Sequence, residues 1–211
     1  MNLSHAYLQR FFPRLTDGAV REDILRVGFL QQVEAGAVIL REEQHIDFVP
    51  LIARGGVKVS MQTRNGKHLF LYFIRPGETC TMTLSSCIRR EISRVVATSI
   101  TDTDVVLIPA QRIYDYTRHY PGWNDYVLEA YREKFDSILD GFEQLASTPF
   151  DQRVMNYLEH MAAMLESREL LVSHATLAED LGASRVGISR VLKGLERAGK
   201  LRLGRERISL R

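Results

Sequence analysis

Between Ser184 and Leu195 apolar residues return with the period of an α-helix. Ile188, Val191, Leu192 and Leu195 fall at i, i+3, i+4 and i+7, while Val186, Ser189, Arg190, Lys193 and Arg197 fall on the other side. Ser184 stands where an N-cap belongs, and Gly199 stands where a C′ glycine does. Upstream, Ala175–Leu181 predicts a short helix capped by Ser173, and Gly182-Ala183-Ser184 is a tight link between the two helices. Downstream, Leu201–Leu210 alternates as a β-hairpin with its turn near Gly204-Arg205. Helix, turn, helix and hairpin in this order predict a winged helix-turn-helix.

The rest of the chain changes period twice. Residues 1–26 mix Phe11, Phe12, Leu15, Val20, Ile24 and Leu25 with charges, as short helices covering one end of a barrel would. Residues 27–110 hold short β-rich runs: Val38-Ile-Leu, Phe48-Val-Pro-Leu-Ile, Val57-Lys-Val, Leu69 to Ile74, Val95-Val-Ala and Val105-Val-Leu-Ile. Gly-Gly, Asn-Gly and Pro-Gly pairs punctuate them, and Asn65-Gly66 is a hairpin signal. Many short strands at regular spacing predict a sandwich, jelly roll or barrel. Residues 111–122 read as a connection. From Trp123 a helical run carries Leu128, Tyr131, Phe135, Ile138, Phe142 and Leu145 at alternating spacings of three and four. So narrow an apolar row is best buried by a second copy of itself, with Glu133, Lys134 and Asp136 on solvated flanks. The helix should stop before Pro149, with a hinge at Ala146–Pro149. A further helix over 150–167 places Val154, Tyr157, Leu158, Met161 and Leu165 on one face.

Charge sharpens this picture. Residues 184–211 carry nine Arg or Lys and two Glu, a net +7. The whole chain is +2, which leaves −5 on residues 1–183. A basic tip on an acidic body is the electrostatic footprint of a module that binds duplex DNA. The 211 residues hold no apolar run long enough to span a membrane, and the first residues lack the pattern of a signal peptide, so a cytoplasmic protein is expected. Two cysteines, Cys80 and Cys87, argue against a secreted disulfide scaffold. No nucleophile–base triad, phosphate-binding loop or paired-carboxylate motif is present, so no catalytic residue is assigned and an enzyme is not expected.

The stretch from Thr176 to Leu195 resembles the helix-turn-helix of the Crp/Fnr family of transcription regulators. Glu34–Arg41, Gly55–Val59, Asn65-Gly66 and Phe73–Glu78 resemble that family's jelly-roll sensor domain. The resemblance implies an α+β chain with a jelly-roll effector-sensing domain at 1–122, a dimerisation helix at 123–147 and a winged helix-turn-helix DNA-binding domain at 148–211. It implies a homodimer on an inverted-repeat operator in double-stranded DNA, with RNA polymerase as a further partner. Arg185 and Arg190 suit guanine edges; Thr176, Ser184, Lys193, Arg197 and the wing residues Arg202, Arg205 and Arg207 suit phosphates. Ser189 lies beside them. Val186 stands where the family often has Glu; it cannot accept a hydrogen bond from cytosine but can pack on a thymine methyl. The competing reading is a small-molecule or thiol-redox module that acts through protein contacts rather than DNA.

For the effector the sequence leaves several chemistries open. The family's cyclic-nucleotide cassette opens on a Gly-Glu pair, here Gly77-Glu78, and closes on an Arg for the phosphate. That Arg position falls near Glu91-Ile92, where a carboxylate would repel a phosphate; Arg89, Arg90 and Arg94 are close. Cyclic nucleotide is therefore disfavoured, and Glu78 serves equally well as a turn residue. The candidate effector or redox residues are Gly77, Glu78, Cys80, Cys87, Arg89 and Arg90. A spacing of seven puts both cysteines on one helix face, about 11 Å apart along the axis, so a bridge would break the helix. Thiol reactivity needs a lowered pKa, which the arginines could supply; the alternative is that both thiols are buried apolar groups. Two thiols alone do not make a metal site, and His68 or a second copy would have to complete one. Haem remains open through His5, His45 or His68. The N-terminal cysteine cluster of the family's oxygen-sensing branch is missing, so that iron–sulfur switch is not expected.

Overall fold

The computed structural model describes residues 2–63, 66 and 68–211. The chain divides into two compact units: the residues up to Met61 with Leu71–Ser137, and Gln62–Phe70 with Ile138–Arg211.

The first unit opens with α1 (His5–Phe11) and α2 (Gly18–Val27). Ser4 and Asp17 cap them, each side chain accepting from backbone N–H groups of the first turn. Seven strands follow along the chain, the last residue of β4 and the first three of β5 belonging to the second unit: β1 (Phe29–Val33), β2 (Val38–Leu40), β3 (Phe48–Arg54), β4 (Val57–Gln62), β5 (His68–Ile74), β6 (Val96–Ser99) and β7 (Thr103–Pro109). They form two sheets, β1-β7-β3 and β2-β6-β4-β5. Helix α3 (Thr81–Arg89) lies between β5 and β6 in sequence. Val49, Leu51 and Ala53 of β3 and Val106 and Ile108 of β7 pack with Leu8, Phe12, Val20 and Ile24 into the main core. Ile52 and Val105, on the opposite face of the same strands, are equally buried. The short turn between β3 and β4 demands Gly55, whose φ is +79°: a Cβ there would lie 2.5 Å from Thr103 Oγ1 and 2.6 Å from the Asp102 carbonyl.

Two elements differ from the sequence expectation. Residues 110–119 are helix α4 (Ala110–His119) rather than a connection. Its apolar signal is only Ile113 and Tyr116, which reach the core. Tyr116 and Arg112 both hold the buried Asp23 of α2, the phenol at 2.7 Å and the guanidinium Nε at 2.7 Å. Strand β1 carries no apolar run in the sequence, since its two central glutamines are exposed. The Asn65-Gly66 hairpin signal falls partly on Asn65, outside the described residues; Gly66 has φ +78°.

Helix α5 (Pro121–Ser147) runs from the first unit into the second. The second unit continues with α6 (Phe150–Leu165), β8 (Glu169–Leu170), α7 (His174–Asp180), α8 (Arg185–Arg197), β9 (Leu201–Gly204) and β10 (Arg207–Leu210). The three strands form one antiparallel sheet in the order β8-β10-β9. Leu158, Leu177, Ile188, Leu192, Leu201 and Ile208 are buried there. The expected helix-turn-helix and wing are present, with the wing turn at Arg205-Glu206, one residue later than expected. Among the described residues no helix is long and apolar enough to cross a membrane.

Candidate nucleic-acid interface and sensor segment

Ser184 starts α8 by accepting a hydrogen bond from the Gly187 N–H at 3.0 Å, and Gly199 follows its end with φ +73°. Ser173 likewise caps α7, accepting from Thr176 N–H at 3.0 Å, and its hydroxyl meets that of Thr176 at 2.9 Å. The buried face of α8 is Ile188, Leu192 and Leu195. The exposed row is Val186, Arg190, Lys193 and Arg197, with Arg185 beside it. Val186 is 69% exposed. Arg202 and Arg205 are exposed on the wing, and Arg207 pairs with Glu169 at 3.0 Å.

Ser189 is set apart from that row. Its hydroxyl lies 2.9 Å from His174 Nδ1, so it faces α7. His174 is a functional candidate that sequence reasoning missed. A single histidine at a helix start carries no periodic signal; its role emerges only because the fold brings it to a cavity of about 260 Å³ with Ser173, Arg185, Glu206 and Arg207.

Along α5 the six residues of the apolar row do not behave alike. Leu128, Phe135, Phe142 and Leu145 are 57–66% exposed, and Leu139, one position from Ile138, is 48% exposed. Ile138 itself is half-buried. Tyr131 turns away from the row, donating its hydroxyl to the Thr81 carbonyl at 2.9 Å. The other face of the helix, with Trp123, Tyr126, Val127, Ala130 and Lys134, is buried. Lys134 thus overturns the expectation of a solvated flank. Its ammonium pairs with Glu78 and donates to the Phe73 carbonyl at 3.0 Å.

The sensor segment is built around these contacts. Glu78 closes the turn after β5 by accepting from the Arg75 N–H at 2.8 Å, and Gly77, with φ +88°, donates its N–H to the Ile52 carbonyl at 2.7 Å. Cys80 precedes α3 as its N-cap residue and is fully buried, with its sulfur 3.8 Å from the Tyr72 hydroxyl. That hydroxyl also meets Thr81 Oγ1 at 3.2 Å; burial and the Cys80 thiol push the phenol well above its ordinary pKa. Cys87 is half-buried and donates its thiol to the Ala110 carbonyl at 3.3 Å.

Comparison with known proteins gives these features a family. Residues 30–120 match the cyclic nucleotide-binding domain, and residues 152–211 match the Crp-like helix-turn-helix domain. The chain belongs to the Crp/Fnr family of transcription regulators. A protein from Eubacterium rectale described as a transcriptional regulator of the crp/fnr family is 25% identical, with a TM-score of 0.80 over 95% of this chain and 94% of that one. The c-di-GMP-responsive global regulator CLP of Xanthomonas campestris is 18% identical, with a TM-score of 0.78 over 92% of this chain and 99% of that one. A Crp/Fnr-family transcriptional regulator from Thermus thermophilus is 20% identical, with a TM-score of 0.73 over 86% and 93% of the two chains. No curated protein matches the chain.

As a Crp/Fnr-type regulator the protein pairs a sensor domain with a DNA-binding helix-turn-helix, and it is not an enzyme. Two sequence expectations about its sensor need correction. The cysteines are not both residues of one helix: Cys80 is the N-cap residue before α3, and only Cys87 lies within it. The arginines do not activate Cys87: burial pushes its thiol up to about 11. Arg89 is exposed and donates to Glu91 at 2.8 Å, while Arg90 is an exposed C-cap in the left-handed region. Among the described residues, no three His, Cys, Asp or Glu side chains gather as a metal site would require. His5 pairs with Glu22 at 3.2 Å on the surface, and His45 lines an open groove beside β2.

Proposed function

We propose that this regulator works as a homodimer that grips an inverted-repeat operator with two copies of α8. The observation that carries this is the exposed row Leu128, Phe135, Leu139, Phe142 and Leu145. Burying one such side chain is worth about 1.5–3 kcal/mol, and a self-complementary row on a long helix is what a two-fold interface requires. Half-buried Ile138 flanks the same seam. The two recognition helices then enter successive major grooves about 34 Å apart. Arg190 and Arg185 read guanine, Val186 packs on a thymine methyl, and Lys193, Arg197, Arg205, Ser184 and Thr176 hold phosphates. Ser189 acts through His174.

In this proposal residues 1–122 sense, 123–147 dimerise and 148–211 bind DNA in the cytoplasm, where promoter-bound protein meets RNA polymerase. The signal enters at the segment from Gly77 to Arg90. Cyclic nucleotide is disfavoured there: Glu78 is engaged by Lys134, and along the sequence Glu91, which pairs with Arg89, stands about where the family's phosphate-binding arginine is expected. Phe142→Glu puts a charge into the seam. The variant should sediment as a monomer and lose its shift on a duplex selected from random DNA by the wild-type protein; dimeric sedimentation would overturn the seam.

A further inference from the structure

We propose that Lys134 and Glu78 form a buried latch that sets the rotation of α5 on the sensor, and that operator affinity depends on that charge pair. The inference rests on the dimer reading above.

The side chains of Lys134 and Glu78 are only 7% and 15% exposed. The ammonium also donates to the Phe73 carbonyl at 3.0 Å and sits 5.6 Å from the centre of the Tyr72 ring. The carboxylate cannot drift, because it also accepts the Arg75 N–H and so belongs to a closed turn. Two further bonds reach the same short stretch of chain: Tyr126 donates to the Gly77 carbonyl at 3.0 Å and Tyr131 to the Thr81 carbonyl at 2.9 Å. Three side chains along one face of α5 therefore hold the segment from Gly77 to Thr81.

A buried ion pair is a poor way to gain stability, since a well-packed apolar pair is often as good or better. Its advantage is register, because only one rotation of the helix brings the ammonium onto the carboxylate. That rotation has a consequence on the adjoining face of the helix. Phe135 is the next residue after Lys134, and with 100° per residue the phase that buries Lys134 turns Phe135, Leu139 and Phe142 outward. A change in the turn that carries Glu78 would rotate the dimer row, and through it the spacing of the two recognition helices. Such a switch needs an effector that favours one of the two arrangements.

The test compares operator binding and thermal melting in the full chain, using the duplex selected by the wild-type protein. Lys134→Met and Glu78→Gln should each weaken binding at least tenfold, while Lys134→Arg, which keeps charge and donors, should bind as wild type does. The double variant Lys134→Met with Glu78→Gln removes both charges without stranding either. It should melt close to wild type yet stay weak on DNA. If the double variant regains wild-type affinity, the pair is merely structural and the latch is overturned. Wild-type affinity in Lys134→Met, with binding abolished in Phe142→Glu, would also overturn it. If Phe142→Glu itself dimerises and binds normally, the dimer reading fails and the latch falls with it.

Discussion

The phenol of Tyr157 on α6 donates a 2.6 Å hydrogen bond to the buried carboxylate of Asp180 at the end of α7. Burial and the neighbouring carboxylate push the phenol well above its ordinary pKa, so it stays a donor. The bond fastens the helix that follows α5 to the first helix of the DNA-reading pair. Hydrogen bonds to charged groups contribute about 1.5–3 kcal/mol. Tyr157→Phe should destabilise the DNA-binding unit by that amount, measured by urea denaturation followed with α6–α8 helical signal. An unchanged midpoint would show that the bond is not what fastens these helices.

Cys87 should be a slow nucleophile. With its thiol pushed up to about 11 by burial, it holds about a hundredfold less thiolate at neutral pH than a thiol near 9. Iodoacetamide should label it slowly at pH 7.5 in the folded protein and quickly in urea, with the folded-state rate climbing until about pH 11. The sign for stability follows. The unfolded thiol loses its proton first, so stability is complete below pH 9 and falls as pH rises towards 11. Rapid labelling of folded protein at pH 7.5 would revive a thiol sensor.

Asp23 should make the sensor acid-sensitive. Burial alone would raise its pKa, but hydrogen bonds from Tyr116, Arg26 and Arg112 outweigh that and hold the carboxyl below its usual range. A lowered pKa contributes stability above the unfolded value near 3.9, lost as pH falls through the folded value. Tyr116→Phe should cost about 1–3 kcal/mol at pH 7, and the difference from wild type should shrink at pH 3. A deficit independent of pH would point to packing instead.

On α8, Arg190→Ala should cost about 1–3 kcal/mol of specific binding and relax one base position. Lys193→Ala should weaken all sequences alike and reduce the salt slope by about one. Fluorescence anisotropy against selected and scrambled duplexes at several salt concentrations separates the two. Equal loss on both duplexes for Arg190→Ala would remove it from base readout.

The helix-turn-helix was legible in the chain because its signals are local. Ser173 and Ser184 cap the helices they precede, Gly199 takes the left-handed conformation, and the buried face of α8 follows a 3.6-residue period within thirteen residues. Each depends only on neighbours a few positions away. The same locality showed that α5 is long and carries an apolar row. It could not show which way its other face points. Lys134 reads as solvated because lysine usually is, and only the fold brings it to Glu78, 56 residues earlier. Tyr131 and Ser189 sit on the expected helices but bond to Thr81 and His174, partners that helical periodicity cannot supply. The cysteines show the same divide: their spacing is a property of the chain, but a thiol's acidity is set by the burial around it. Order along the chain determined most of the elements and the caps of the helix-turn-helix, though not α4 or β1. Through-space desolvation and pairing, which exist only once distant segments meet, decided which polar groups are surface and which are machinery.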